Sequence, residues 1–189
     1  MSVAAIILAA GASRRLGRPK QLIEIAGETL LARAVRVAHE ADFAPLVVVV
    51  REEAAFADQL IGGHAVLVTN MAADEGIASS IRRGIEAVAG LDCAGAVLMT
   101  CDQPRVSPEH LHALTADEGA VSGSLYSGRI AVPAYFPASS FESLLQLRGD
   151  VGARELLRTA RAVAAQELAL DVDTEADVQR ALELLRGGA

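Results

Sequence analysis

Val3-Ala4-Ala5-Ile6-Ile7-Leu8-Ala9-Ala10-Gly11-Ala12-Ser13 decides the fold of this chain. Positions 3–8 are apolar throughout, which reads as a strand buried on both faces. The strand runs into small residues, and the loop they begin continues to about Lys20. A short apolar strand that ends in such a loop is the opening of an α/β sheet with its ligand edge at the strand's carboxyl end.

The rest of the chain repeats this alternation. At 29–40, Leu30, Leu31, Ala34, Val35 and Ala38 form the apolar stripe of a helix. Pro45-Leu46-Val47-Val48-Val49-Val50 is the strongest strand signal, and 65–69 is a second strand after a short helix around 54–60. Both strands are expected to be central. Ile77, Ile81, Ile85 and Val88 recur at helical spacing. Ala96-Val97-Leu98-Met99-Thr100 is a buried strand that must leave the sheet at Cys101-Asp102-Gln103-Pro104, because proline cannot continue a central ladder. Ser107-Pro108-Glu109 opens a helix running to about Ala116. From 120 to 136, glycine and serine punctuate two strands joined by a turn. Helical patterns return at 139–145, 151–158 and 174–185. No repeat, linker or low-complexity segment is visible.

This order predicts an α/β fold, a single Rossmann-like, mainly parallel twisted sheet with helices on both faces, within one domain over 1–189. A length of 189 residues suffices for one substantial core. Hydrophobic residues make up 52% and aromatics only 3%, so Ala, Val, Ile and Leu must build that core. The loops at 9–20, 70–80 and 101–105 should share one edge of the sheet.

A net charge of −7 repels polyanions and argues against a nucleic-acid partner. No apolar run reaches membrane-spanning length, and the first residues lack the basic region of an export signal, so a cytoplasmic protein is expected. Cys93 and Cys101 have no metal-ligand spacing and read as reduced core residues; the four histidines show no ligand pattern either.

The densest basic cluster in this acidic chain is Arg14, Arg15, Arg18 and Lys20, within the small-residue loop. Small residues let backbone amides approach an anion, and Arg15 and Lys20 can neutralise a triphosphate; otherwise the segment is a solvated basic loop. It is not GxGxxG, and it is not a Walker loop, because Lys20 is followed by Gln21 rather than Ser or Thr.

Leu8-Ala9-Ala10-Gly11-Ala12-Ser13-Arg14-Arg15-Leu16-Gly17-Arg18-Pro19-Lys20 resembles the LAAGxSxRxGxxK signature of the molybdenum cofactor cytidylyltransferases and related nucleotidyltransferase domains, among them molybdopterin-guanine dinucleotide synthase. Further matches follow in order: Asn70 with Glu75-Gly76-Ile77-Ala78-Ser79-Ser80, Asp102-Gln103-Pro104, Gly149-Asp150-Val151-Gly152-Ala153-Arg154, and Asp171 to Asp177. The resemblance covers nearly the whole chain and implies a nucleotidyltransferase fold of the GT-A-like type. It implies Mg²⁺-dependent transfer of CMP from CTP to molybdenum-loaded molybdopterin, with release of pyrophosphate, for enzymes resembling xanthine dehydrogenase. A transient molybdoenzyme or chaperone partner is implied with it.

By resemblance Arg15 and Lys20 bind the triphosphate, and the backbone at Ala9, Ala10 and Gly11, with Ser13, holds the nucleotide. Asp102 is the first candidate for the metal, since magnesium takes hard oxygen ligands, although it could simply form the turn before Pro104. Asp173 is either a second ligand or part of a helix start, while Asp171 and Asp177 read as structural. Asn70, Gly76, Ser79 and Ser80 are nucleotide-binding candidates, the serines being equally able to cap a helix. Arg82 and Arg83 read as a solvated face. Arg154 would meet the acceptor phosphate, and Asp150 belongs to that motif unless it caps the helix after it. No protein nucleophile is needed.

Two departures bear on the substrates. Val132-Pro133 stands where the family often has His-Pro, which weakens the pterin expectation, and Ala10 stands where guanylyl enzymes tend to have glycine, which favours cytidine. The alternatives are GTP as donor, a sugar or polyol phosphate as acceptor, or a non-catalytic cofactor carrier.

Overall fold

The computed structural model describes residues 2–52, 57 and 61–186; most of the helix expected around 54–60 lies outside them. Nine strands and six helices are described: β1 (Ser2–Leu8), β2 (Glu24–Ile25), β3 (Glu28–Thr29), α1 (Leu30–Glu40), β4 (Leu46–Val50), β5 (Val66–Thr69), α2 (Ile77–Val88), β6 (Cys93–Thr100), α3 (Pro108–Thr115), β7 (Ser122–Tyr126), β8 (Arg129–Pro137), α4 (Phe141–Leu145), α5 (Arg154–Leu157), β9 (Arg161–Ala164) and α6 (Glu175–Arg186).

Seven strands form one sheet in the order β5-β4-β1-β6-β8-β7-β9. Its pairings are parallel except for the two made by β8, which runs against β6 and β7. β1 therefore sits inside a parallel block, and every residue from Ala4 to Leu8 is buried. Successive side chains of a strand face opposite ways. Ala5 and Ile7 accordingly pack with Leu31 and Val35 of α1 and Leu111 of α3, while Ala4, Ile6 and Leu8 pack with Ile81 and Ile85 of α2. Helices cover both faces, as the alternation predicts.

Local chemistry fixes the ends of these elements. Thr29 Oγ1 accepts from the Ala32 amide at the start of α1, and Ser107 Oγ accepts from the His110 amide at the start of α3. Both cysteines are free and buried, and burial pushes the Cys101 thiol up to about 12. No helix among the described residues is long and apolar enough to cross a membrane.

Several expectations need correction. β5 is an edge strand with both its ends exposed, not a central one; its β-branched run reflects pairing with β4 alone. β6 starts at Cys93, three residues earlier than its apolar run. The helix expected over 151–158 is confined to 154–157, because Gly149 and Gly152 take positive φ and keep the preceding chain in a turn. The β2–β3 hairpin and β9 were not foreseen: two-residue strands carry no periodicity, and β9 is mostly exposed.

α2 lies close on the sheet at Gly84, where an added Cβ would run into the Cγ2 methyl of the fully buried Ile6. Helix propensity favours alanine over glycine by ~1 kcal/mol, yet overpacking a close-packed core costs about 1–3 kcal/mol. We expect Gly84→Ala to lower unfolding free energy in a urea titration despite its better propensity.

Candidate active site

At the carboxyl edge of the sheet the loops after β1, β5 and β6 surround a cavity of about 460 Å³, within the size range of small-molecule sites. Ala9, Ala10, Gly11, Lys20, Ser80 and Asp102 line it, together with Gly76 and Asp150. The three loops expected to share an edge thus meet there. A second cavity of about 490 Å³ adjoins it, with Gly11, Arg14 and Gln21 common to both, and Ser13 and Arg18 on its wall.

Lys20 is the centre of the site. Its Nζ donates to Asp102 Oδ2 at 2.7 Å and to Asp173 Oδ1 at 2.8 Å, and Arg15 reaches the other oxygen of Asp173 at 3.2 Å. Burial opposes the charge on Lys20, but the two carboxylates outweigh it and hold its pKa above the ordinary lysine value. The ammonium stays charged at neutral pH.

Asp102 and Asp173 are 71 residues apart in sequence, and the backbone explains their meeting. The Val172 amide donates to the Asp102 carbonyl at 2.9 Å, drawing the chain before α6 alongside the end of β6. Val172, Leu170 and Val178 bury against Ile23, Ile25 and Leu30 of the hairpin segment that follows Lys20. Asp177 Oδ2 accepts from the Thr174 amide and hydroxyl at 2.9 and 2.7 Å, which fixes the turn into α6. Asp171 is part-buried, and burial, then Asp102, push its carboxyl up to about 6, against a hydrogen bond with Gln103.

Ser13 Oγ accepts from the Lys20 amide at 3.0 Å and so closes the basic loop on itself. Asn70 is buried behind the cavity: its Nδ2 donates to Ser79 Oγ and Ser80 Oγ at 2.9 and 3.0 Å, and its Oδ1 accepts from the Ala72 amide. Ser79 Oγ donates in turn to the Gly76 carbonyl, so of the two serines only Ser80 reaches the cavity wall. Gly76 takes φ +109°, and a Cβ there would collide with Gly149 and Asp150; the Ala78 amide is spent on the Gly149 carbonyl. This contact brings Asp150 to the wall of the cavity. α5 begins after Ala153 with no side-chain cap, so Asp150 does not cap it. Arg154 is exposed at the start of α5.

Arg82 is not part of a solvated face. Its guanidinium donates to the Leu147 carbonyl at 2.7 Å, tying α2 to the segment that leads into Gly149. Gln103 donates to Tyr126 Oη and to the Val132 carbonyl, which Tyr126 Oη also reaches. The backbone of Val132, rather than its side chain, anchors this corner.

Arg51, Asp74 and Gln21 line the cavities but were not anticipated. Arg51 directly follows β4, the strongest strand signal, and the rule that ligands bind beyond strand ends would have found it. Asp74 pairs with it at 2.5 Å. Gln21 carried no signal except that it is not Ser or Thr.

Residues 5–167 match the model of the MobA-like NTP transferase domain. The chain belongs to this family. It is a nucleotidyltransferase of the MobA-like type, and its sheet is the GT-A-like one expected. Asp173 lies beyond the matched residues. The chain is 32% identical to the purine catabolism protein PucB of Bacillus subtilis over 168 residues, 82% of this chain and 80% of PucB. It is 48% identical over 52 residues to a probable molybdenum cofactor guanylyltransferase of Opitutus terrae, 28% of this chain and 26% of that protein. The structure of Rv0371c from Mycobacterium tuberculosis is similar, with 31% identity, a TM-score of 0.83, and 97% of this chain and 99% of that chain covered. A structure of Rv0371c in complex with manganese has 28% identity, a TM-score of 0.78 and the same coverage.

The Asn70 amide ties the end of β5 to the first turn of α2 and to the Ala72 amide through three hydrogen bonds. Removing one partner of a buried hydrogen bond costs about 1–3 kcal/mol. Asn70→Ala is therefore expected to lower stability by that order in a denaturant titration, and Asn70→Asp, which keeps the acceptor to Ala72, to lower it as well, because both serines lose their donor.

Proposed function

We propose that this chain transfers CMP from CTP to the terminal phosphate of molybdenum-loaded molybdopterin, releasing pyrophosphate, with Mg²⁺ as cofactor. The observation that carries the reading is the ammonium of Lys20 between Asp102 and Asp173 at the mouth of a cavity built by a small-residue loop.

Asp102 and Asp173 suit a hard divalent cation: they offer two carboxylates, and both bind one Lys20 nitrogen, so their oxygens lie close together. They would hold Mg²⁺, which when bound offsets phosphate charge and makes the α-phosphorus more electrophilic. Ala9, Ala10 and Gly11 bear no side chain beyond a methyl; the Ala9 amide and carbonyl are spent on Val49 and Gln21, which leaves the backbone of Ala10 and Gly11 to the nucleotide. Lys20 has three N–H donors and spends two on the carboxylates. The third is available to a phosphate oxygen, and with Arg15 it opposes the charge that builds on pyrophosphate. An oxygen of the acceptor phosphate forms the new bond to the α-phosphorus as the bond to the bridging oxygen of pyrophosphate breaks. The acceptor is already anionic, so no side chain need become a nucleophile. Asp150 and Arg154 would serve the acceptor side.

Ala10 favours cytidine, and the likeness to PucB, named for purine catabolism, agrees with service to enzymes resembling xanthine dehydrogenase. The local likeness to a guanylyltransferase supports a second reading with GTP as donor. Encounter with a recipient molybdoenzyme or its chaperone is part of the same proposal.

Pyrophosphate release measured with CTP, GTP, ATP and UTP, in the presence of Mg²⁺ and molybdenum-loaded molybdopterin, tests it. Release with CTP alone is expected, and Asp102→Ala should reduce kcat at least roughly a hundredfold, the scale of losing a key electrostatic group, with the fold intact by circular dichroism. Release with GTP alone would favour the second reading. No release by folded protein that binds CTP would overturn the acceptor.

A further inference from the structure

Gln21 is only 3% exposed, yet it is among the residues that line both cavities. Its Nε2 donates to the Ala9 carbonyl. That bond fixes the orientation of the amide, because an oxygen could not face another carbonyl oxygen. Oε1 is consequently the atom that remains, and it makes no hydrogen bond among the described residues. A buried, unpaired acceptor is costly, and buried polar groups in proteins are otherwise almost always satisfied.

The chemistry of the missing partner follows from the atom. An amide oxygen accepts only, so it cannot bind a triphosphate, whose oxygens also accept. The donors a nucleoside triphosphate carries are the amino or ring N–H groups of its base and the hydroxyls of its ribose. We propose that Gln21 is a specificity-determining residue whose Oε1 accepts a hydrogen bond from an N–H or O–H donor of the nucleoside, while its Nε2 holds the Ala9 carbonyl and so shapes the loop on which the nucleotide lies. Gln21 thereby separates recognition of the nucleoside from recognition of the phosphates, which falls to its neighbour Lys20. The inference rests on the proposed nucleotide occupying this cavity.

Calorimetry with Mg²⁺ tests it on wild type and on Gln21→Met, which keeps the length of the side chain. The probes are CTP and GTP, their 2′-deoxy and 3′-deoxy forms, UTP and ITP, which lack the amino groups of CTP and GTP, and tripolyphosphate, which has no nucleoside. In wild type one class of analogue should bind roughly tenfold more weakly than its parent, the scale of one hydrogen bond. That class identifies the donor as base or ribose. Gln21→Met should bind the parent nucleotide as weakly as that analogue, while tripolyphosphate binds both proteins alike. Equal loss of tripolyphosphate and nucleotide in Gln21→Met, or unchanged discrimination in it, would overturn the assignment. A wild type that binds tripolyphosphate but no nucleotide would instead overturn the nucleotide reading on which it rests.

Discussion

The site depends on one ammonium group shared by two carboxylates. Lys20 comes from the first loop, Asp102 from the end of β6 and Asp173 from the approach to α6. Without the lysine, two part-buried carboxylates would face each other across a few ångströms, an arrangement that like-charge repulsion disfavours. The pair of ion bonds is weak evidence for stability, since desolvation offsets much of the Coulomb gain. Its consequence is geometric: three distant segments converge on one nitrogen, and the apolar cluster of Ile23, Ile25, Leu170, Val172 and Val178 supplies the burial energy that holds them there.

The opposite wall is held by hydrogen bonds between side chains and backbone. Asn70 ties the end of β5 to the first turn of α2, the Gly76 backbone lies against Gly149 and Asp150, and Arg82 binds the carbonyl of Leu147. Charge is not confined to one wall: Arg51 and Asp74, paired at 2.5 Å, line the cavity together with Lys20 and Asp102. Gln21, adjacent to Lys20 in sequence, lines it as well.

The parallel block was legible because β1 and β4 are buried on both faces and therefore apolar without interruption. The loops followed from the strand ends, and Lys20, Asp102 and Asp173 from the order of the motifs. What stayed hidden depended on contacts between distant residues. Nothing in the sequence around Asp173 announces the backbone bond from Val172 to Asp102. The short hairpin of β2 and β3 is too brief for any period, and the exposed β9 shows little pattern. Arg82 falls on the polar side of its helix by pattern, and only the fold brings the carbonyl of Leu147 within its reach. Gln21 matters through the direction of its amide, which no spacing encodes.

The chemistry of the site turns on whether Asp102 and Asp173 act together on one divalent cation in the presence of nucleotide. Mn²⁺ is a paramagnetic stand-in for Mg²⁺, and its binding to the protein with CTP can be titrated by electron paramagnetic resonance in wild type, Asp102→Asn and Asp173→Asn. One Mn²⁺ per chain is expected, bound at least roughly tenfold more weakly by each variant, the scale of losing one charged ligand interaction. Unchanged Mn²⁺ affinity in both variants, with CTP still bound, would contradict that joint role.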